Sequence, residues 1–241
     1  MLMLDALLKR APGPHIWALV FLAPAVPEIL TTSTPADKFF APPTFAWMLC
    51  FYGSGALLVR ELAFRWRKGW IGVALLGAAY GVLEEGLMAR TWFSTGPSAV
   101  GGLNTYGRAF GINWVWAAQL TVIEMAIAIV VPIALVHVAF PAVRTRAWLG
   151  RRGLVVTTLL LVLATLAGHH PGTGVAPASY VAAAVIFACL IAAGRWVPSR
   201  PWDDPWPGLG RPLLIWLIGT AAVVVEVLVI GAVLPKTSIP A

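Results

Sequence analysis

The chain has 241 residues, of which 59% are hydrophobic and only 11% are Asp, Glu, Lys or Arg, giving a mean hydropathy of +0.83. A soluble domain carries about 25% charged residues, and here the apolar residues fall in blocks of about 17 to 25, the length that crosses a bilayer. The +7 formal charge is spread along the chain instead of forming a basic patch, which excludes nucleic acid as a partner; with two cysteines and four histidines, no disulfide scaffold, metal or cofactor is expected.

The expected fold is all-α, a bundle of seven transmembrane helices in one integral membrane domain covering 1–241. The spans lie at about 15–31, 44–60, 69–93, 113–139, 153–168, 176–194 and 212–234. The first is short, contains Pro24 and Pro27 and follows Lys9 and Arg10. Glu28 and the Thr/Ser run at 31–34 make a poor cleavage region, so an anchor is expected in preference to a signal peptide. The second ends in Arg60 and Glu61 with Arg65 one turn on, which reads as a surface ion pair at the cytoplasmic end.

In the third span, Tyr80 precedes Glu84 by one turn, and Gly77 and Gly81 thin the helix where a neighbour can approach. The stretch 94–112 holds five glycines and reads equally as a lid or a solvated linker, with Arg90 and Arg108 placed to attract an anionic headgroup. Span four aligns Asn113, Thr121 and Glu124 on one stripe, while His137, near its far end, reads as interfacial. Span five closes on His169 and His170. The stretch 195–211 interleaves Pro with Trp, which suits a segment along the headgroup layer, and span seven carries Glu226.

With the N-terminus inside, 13 of the 17 Lys and Arg residues fall on the cytoplasmic side, which orients the chain N-in and C-out as a multi-pass protein of the cell membrane. A carboxylate at mid-bilayer costs about 2.5 to 3.5 kcal/mol, so each buried acid needs a reason. Counting about 1.5 Å per residue, Glu84, Glu85, Glu124 and Glu226 all lie roughly 12 to 17 Å below the outer surface, with Glu28 shallower and the two histidines on the same side. Glu84, Glu85, Glu124, His169 and His170 are therefore the candidate catalytic residues. Tyr80, Arg90, Arg108, Asn113, Trp92, Trp114 and Glu226 are candidate substrate-binding residues. Adjacent helix positions diverge by about 100°, so Glu84 and Glu85 are expected to face different partners, one of them a cavity shared with Glu124.

The segment Glu84-Glu85-Gly86-Leu87-Met88-Ala89-Arg90 resembles the Glu-Glu-x-x-x-Arg signature of the CAAX prenyl protease and bacteriocin self-immunity family. The resemblance implies a helical membrane fold in which the first Glu activates water, the Arg orients the pair, and later histidines stabilise an oxyanion. Arg90 stands one position late, and the second family motif, Phe-x-x-x-His, has only Ile133 to His137 as a loose counterpart.

Three functions fit the pattern. The first is a membrane-embedded enzyme doing acid–base chemistry with its glutamates on a lipidic or membrane-bound substrate, such as peptide hydrolysis. The second is a prenyl-lipid cyclase or isomerase with a Glu proton donor and Trp92, Trp114 and Trp116 stabilising a cation, although an aromatic belt explains these tryptophans as well. The third is a non-enzymatic proton-coupled carrier or receptor. Membrane lipids are the expected partners in all three. A reporter fused to Ala241 is expected to be active on the outer side; activity in the cytoplasm would overturn the orientation.

Overall fold

The computed structural model describes residues 12–94, 107–169 and 174–199. The predicted span 212–234 with Glu226, His170, and all but the first residues of the Pro–Trp stretch lie outside the described residues.

Helix α1 (Pro14–Leu30) begins with Pro14 at its first turn, where a missing N–H costs nothing, and changes from α to π winding over Ala25–Leu30. Pro27 lies inside that π segment and cannot donate to an α ladder. After the short α2 (Ala36–Phe39), helix α3 covers 42–65: α over Pro42–Met48, π over Leu49–Gly53, and α over Ser54–Arg65. Helix α4 (Gly69–Met88) turns π over Val82–Met88. Helix α5 (Trp114–Ala139) is π over Glu124–Val130, just before Pro132. Helices α6 (Arg151–Gly168) and α7 (Pro177–Trp196) are uninterrupted.

Among the described residues α4, α5, α6 and α7 are long and apolar enough to cross a membrane, and α1 is apolar but shorter. α4 is the centre of the bundle. A Cβ on Gly77 would sit 3.1 Å from Ile129 Cγ2, and one on Gly81 would sit 3.1 Å from both Glu124 Cβ and the Thr121 carbonyl, so these two glycines bring α4 and α5 close together. Gly194 does the same for α7 against Leu76. The outward faces of α6 and α7 leave Leu159, Leu163, Leu166, Val181 and Val185 exposed, as lipid-facing surfaces do.

Three expectations change here. α4 stops at Met88, short of residue 93: the Ala89 N–H reaches Glu84 O at 2.7 Å, Arg90 takes a left-handed φ of 60°, and the 3₁₀ turn Thr91–Phe93 folds Trp92 back over Gly86. The described end of the glycine-rich stretch is a hairpin and not a loose linker, β1 (Arg108–Ala109) pairing antiparallel with β2 (Ile112–Asn113). Gly107, Phe110 and Gly111 supply its positive φ angles, and Ser179 Oγ donates to Phe110 O at 2.6 Å, tying it to α7.

The third change concerns the charges on α3. Arg60 and Glu61 are both 0% exposed, so they are not a surface pair. Arg60 donates to Glu61 Oε2 (3.2 Å), Val143 O (3.3 Å) and Arg144 O (2.7 Å), and its guanidinium stacks 4.0 Å from the Trp148 ring. Glu61 also accepts from Arg65 Nε and the Trp148 N–H, each at 2.8 Å. His137, expected at the interface, is buried against Trp70 and Trp148 with Arg60 Nε 3.5 Å from its Nε2. Glu61→Ala would leave the Arg60 charge without its carboxylate, and unfolding in detergent is expected to show a loss of roughly 3 to 5 kcal/mol.

Candidate functional site

The four π segments among the described residues share one property: each carries an ionisable group that faces the same chamber. Glu28 lies in the π turn of α1, Tyr52 in that of α3, Glu84 and Glu85 in that of α4, and Glu124 begins that of α5. A π turn inserts a residue into the helix, widening it and redirecting the side chains that follow, which is why such turns gather at polar sites. These residues line a cavity of about 920 Å³ bounded by Pro43, Trp47, Met48, Trp116, Leu120 and Ile123.

At its floor, one carboxylate oxygen each of Glu84, Glu85 and Glu124 lies within 4.8 Å of the others. Glu84 is 5% exposed and Glu124 is 8% exposed, whereas Glu85 is half-buried. Glu84 and Glu85 thus reach one site together, contrary to the 100° divergence expected of an α-helix. The π winding alters that angle, and the long Glu side chains close the remaining gap.

The hydrogen bonds form a chain. Thr34 Oγ1 donates to Glu28 Oε2 at 2.5 Å, the Tyr52 hydroxyl stands 2.6 Å from Glu28 Oε1 and also contacts Glu84 Oε1, and Glu84 is within hydrogen-bonding reach of Glu124. A phenol has one proton to give, so its two contacts are both hydrogen bonds only when one carboxyl carries a proton. Glu85 Oε2 accepts from Thr91. Glu84 Oε2 and Glu124 Oε2 are buried with no partner, as is the Tyr80 hydroxyl. The described lining residues include no Lys, Arg or His.

The other candidates lie around this site or apart from it. Tyr80 is buried behind Glu84 and rests against Gly55 and Tyr52. Asn113 caps α5, its Oδ1 accepting from the Trp116 N–H at 3.0 Å. Arg90 pairs with His169 Nε2 at 2.9 Å and lies 4.9 Å from the Tyr180 ring, so both are engaged with each other beside the chamber and neither lines it. Arg108 donates to Gly111 O within its hairpin and to Ser94 O just after the Thr91–Phe93 turn. Trp92 packs on Gly86, and Trp114 is exposed with its Nε1 on Ala109 O, leaving Trp116 as the member of that trio that lines the cavity. His170 and Glu226 are outside the described residues.

Glu28 and Tyr52 were not among the candidates. Their signal was depth: Tyr52 is an isolated phenol eight residues into its apolar block, and Glu28 is the lone acid in another. A second cavity of about 910 Å³, between α1, α3 and α6, has His15, Cys50 and Arg146 as the titratable side chains among its described lining residues and no comparable cluster.

A helical membrane protein with a carboxylate-lined chamber is thus defined by fold and site together. The chain belongs to an uncharacterized membrane protein family, whose model it matches over residues 18–240. No curated protein and no solved structure matches it. This membership corrects the resemblance to the CAAX prenyl protease and bacteriocin self-immunity family, which rested on seven consecutive residues. The geometry agrees with the correction, since Arg90 turns away to His169 and His137 is buried beside Arg60, outside the chamber.

Tyr52→Phe removes the hydroxyl between Glu28 and Glu84 and leaves both carboxyls short of a partner. The variant is expected to lose about 1 to 3 kcal/mol of stability, read from its thermal unfolding in detergent.

Proposed function

We propose that the protein is a membrane-embedded enzyme in which Glu84, Glu85 and Glu124 carry acid–base chemistry on a lipidic or membrane-bound substrate. The reading includes a seven-span bundle in the cell membrane with the N-terminus in the cytoplasm and the C-terminus outside. The observation that carries it is the pair of buried, unpartnered carboxylate oxygens, Glu84 Oε2 and Glu124 Oε2, on residues lining a chamber of ligand size. A structural acid would spend its oxygens on protein donors, as Glu61 does.

The chain from Thr34 through Glu28 and Tyr52 to Glu84 and Glu124 supports the same reading, because it offers a route for replacing a proton spent in the chamber. A carrier would need that route to continue across the membrane. Beyond Glu124, however, α4 and α5 are packed through Gly77 against Ile129, with Val73, Leu76, Ile133 and Val136 buried around them. The wall of Pro43, Met48, Leu120, Ile123 and Ile127 suits an apolar chain, and the acids suit a polar group attached to it. A cation cage of Trp92, Trp114 and Trp116 has no support, since only Trp116 lines the chamber.

Unbiased lipid and peptide analysis of membranes with and without the protein is expected to reveal a species that accumulates in its absence. Glu84→Gln and Glu124→Gln keep the shape of the side chain and remove proton transfer, so each should lower conversion of that species by roughly 10² to 10⁴. Full conversion by both folded variants would overturn the reading.

A further inference from the structure

We infer that Glu84, Glu85 and Glu124 bind one hard divalent cation at the floor of the chamber. This rests on the proposed function for its setting, but its own content is binding and not turnover.

The first argument is spacing. Metal–oxygen bonds to Mg²⁺, Mn²⁺ or Ca²⁺ are about 2.0 to 2.6 Å, so two oxygens on opposite sides of one ion stand roughly 4 to 5 Å apart. One oxygen from each of the three glutamates lies within 4.8 Å of the others. They can share a single coordination sphere without movement of the helices.

The second argument is the way the oxygens are divided. Glu84 is held by Tyr52 through Oε1, and Glu85 by Thr91 through Oε2. Glu84 Oε2 and Glu124 Oε2 remain buried and unpartnered. Ligating carboxylates are ordinarily oriented by an outer partner in this manner, with one oxygen anchored and the other presented to the ion.

An independent group points to the same place. Tyr80 is 3% exposed, its hydroxyl has no partner, and it interacts electrostatically with Glu84, Glu124, Glu28 and Glu85. A phenol buried beside acids would normally donate to one of them, and a hydrated cation at their centre supplies water for it to meet. Protons that bridge Glu84 to Glu124 and Tyr52 to its carboxyls still leave the Tyr80 hydroxyl unpaired. Among the described lining residues no Lys, Arg or His supplies the opposite charge. The donors are all oxygen, which selects a hard cation over zinc or copper, and positions facing the cavity stay available to water or to an anionic group of a ligand.

The test uses the purified full chain in detergent with Mn²⁺ as probe, followed by electron paramagnetic resonance. Saturable uptake of one Mn²⁺ per chain, displaced by Mg²⁺ or Ca²⁺, is expected. Glu84→Gln and Glu124→Gln should each raise the Kd roughly 10- to 100-fold, as should Glu85→Gln, whose half-buried position tolerates the change if the deeper variants do not fold. Asp37→Asn, on the exposed α2, should leave binding unchanged. Absence of saturable binding to the wild-type chain, or undiminished binding by the folded glutamine variants, would overturn the inference. A lipid species processed without any Mn²⁺ uptake sinks the cation site and leaves acid–base chemistry standing; Mn²⁺ uptake with no processed species keeps the site and removes the enzyme.

Discussion

Charge inside a membrane must be answered by something other than water, and this protein answers it in two opposite ways. At one end of α3, Glu61 sits between Arg60 and Arg65, and all three spend further groups on the backbone of 143–149. The buried side chains of Arg60 and Glu61 are fully bonded within the protein, so that end is closed. In the chamber, by contrast, Glu28, Glu84, Glu85 and Glu124 gather without a basic residue among the described lining side chains. Unpaired atoms remain there on Glu84, Glu124, Tyr80 and Trp116, and that contrast separates a structural polar cluster from one prepared to meet a visitor.

The backbone bends to the same requirement. Four neighbouring helices abandon α winding in the turns that present Glu28, Tyr52, Glu84 with Glu85, and Glu124. The local causes differ: Pro27 within the turn of α1, Gly53 and Ser54 at the turn of α3, Gly86 in α4, and Pro132 after the turn of α5. Their convergence at one level of the bundle gives the chamber its width. The glycines at 77 and 81 bring α4 against α5 on one side, so the wider turns have room only toward the cavity.

How much of this was legible from the residues alone can be followed side chain by side chain. Hydropathy placed the described apolar blocks to within a few residues of helices, four of which are long and apolar enough to cross a membrane. Counting depth along α4 and α5 put Glu84, Glu85 and Glu124 at one level, and they do meet. Rotation was beyond reach: a hydropathy pattern is blind to whether an N–H bonds four or five residues back, so the shared orientation of Glu84 and Glu85 could not be seen. Arg60, Glu61 and Arg65 have the spacing of a surface pair, and nothing local reveals that residues some 84 positions later cover them. Arg90 shows the opposite risk: a short motif gave it a role in the site, while a left-handed backbone sends it to His169.

The closed end of α3 has a consequence for how the chain is made. Arg60 and Glu61 leave the ribosome with no partner beyond each other and Arg65, since the carbonyls of Val143 and Arg144 and the N–H of Trp148 are still untranslated. At about 5 to 20 residues per second, the delay over those 84 positions is roughly 4 to 17 s. During that interval the end of α3 must wait in the wet boundary layer, because entering the hydrocarbon would cost several kcal/mol per charge. The end of α3 therefore reaches its final packing only when the link between α5 and α6 has been synthesised.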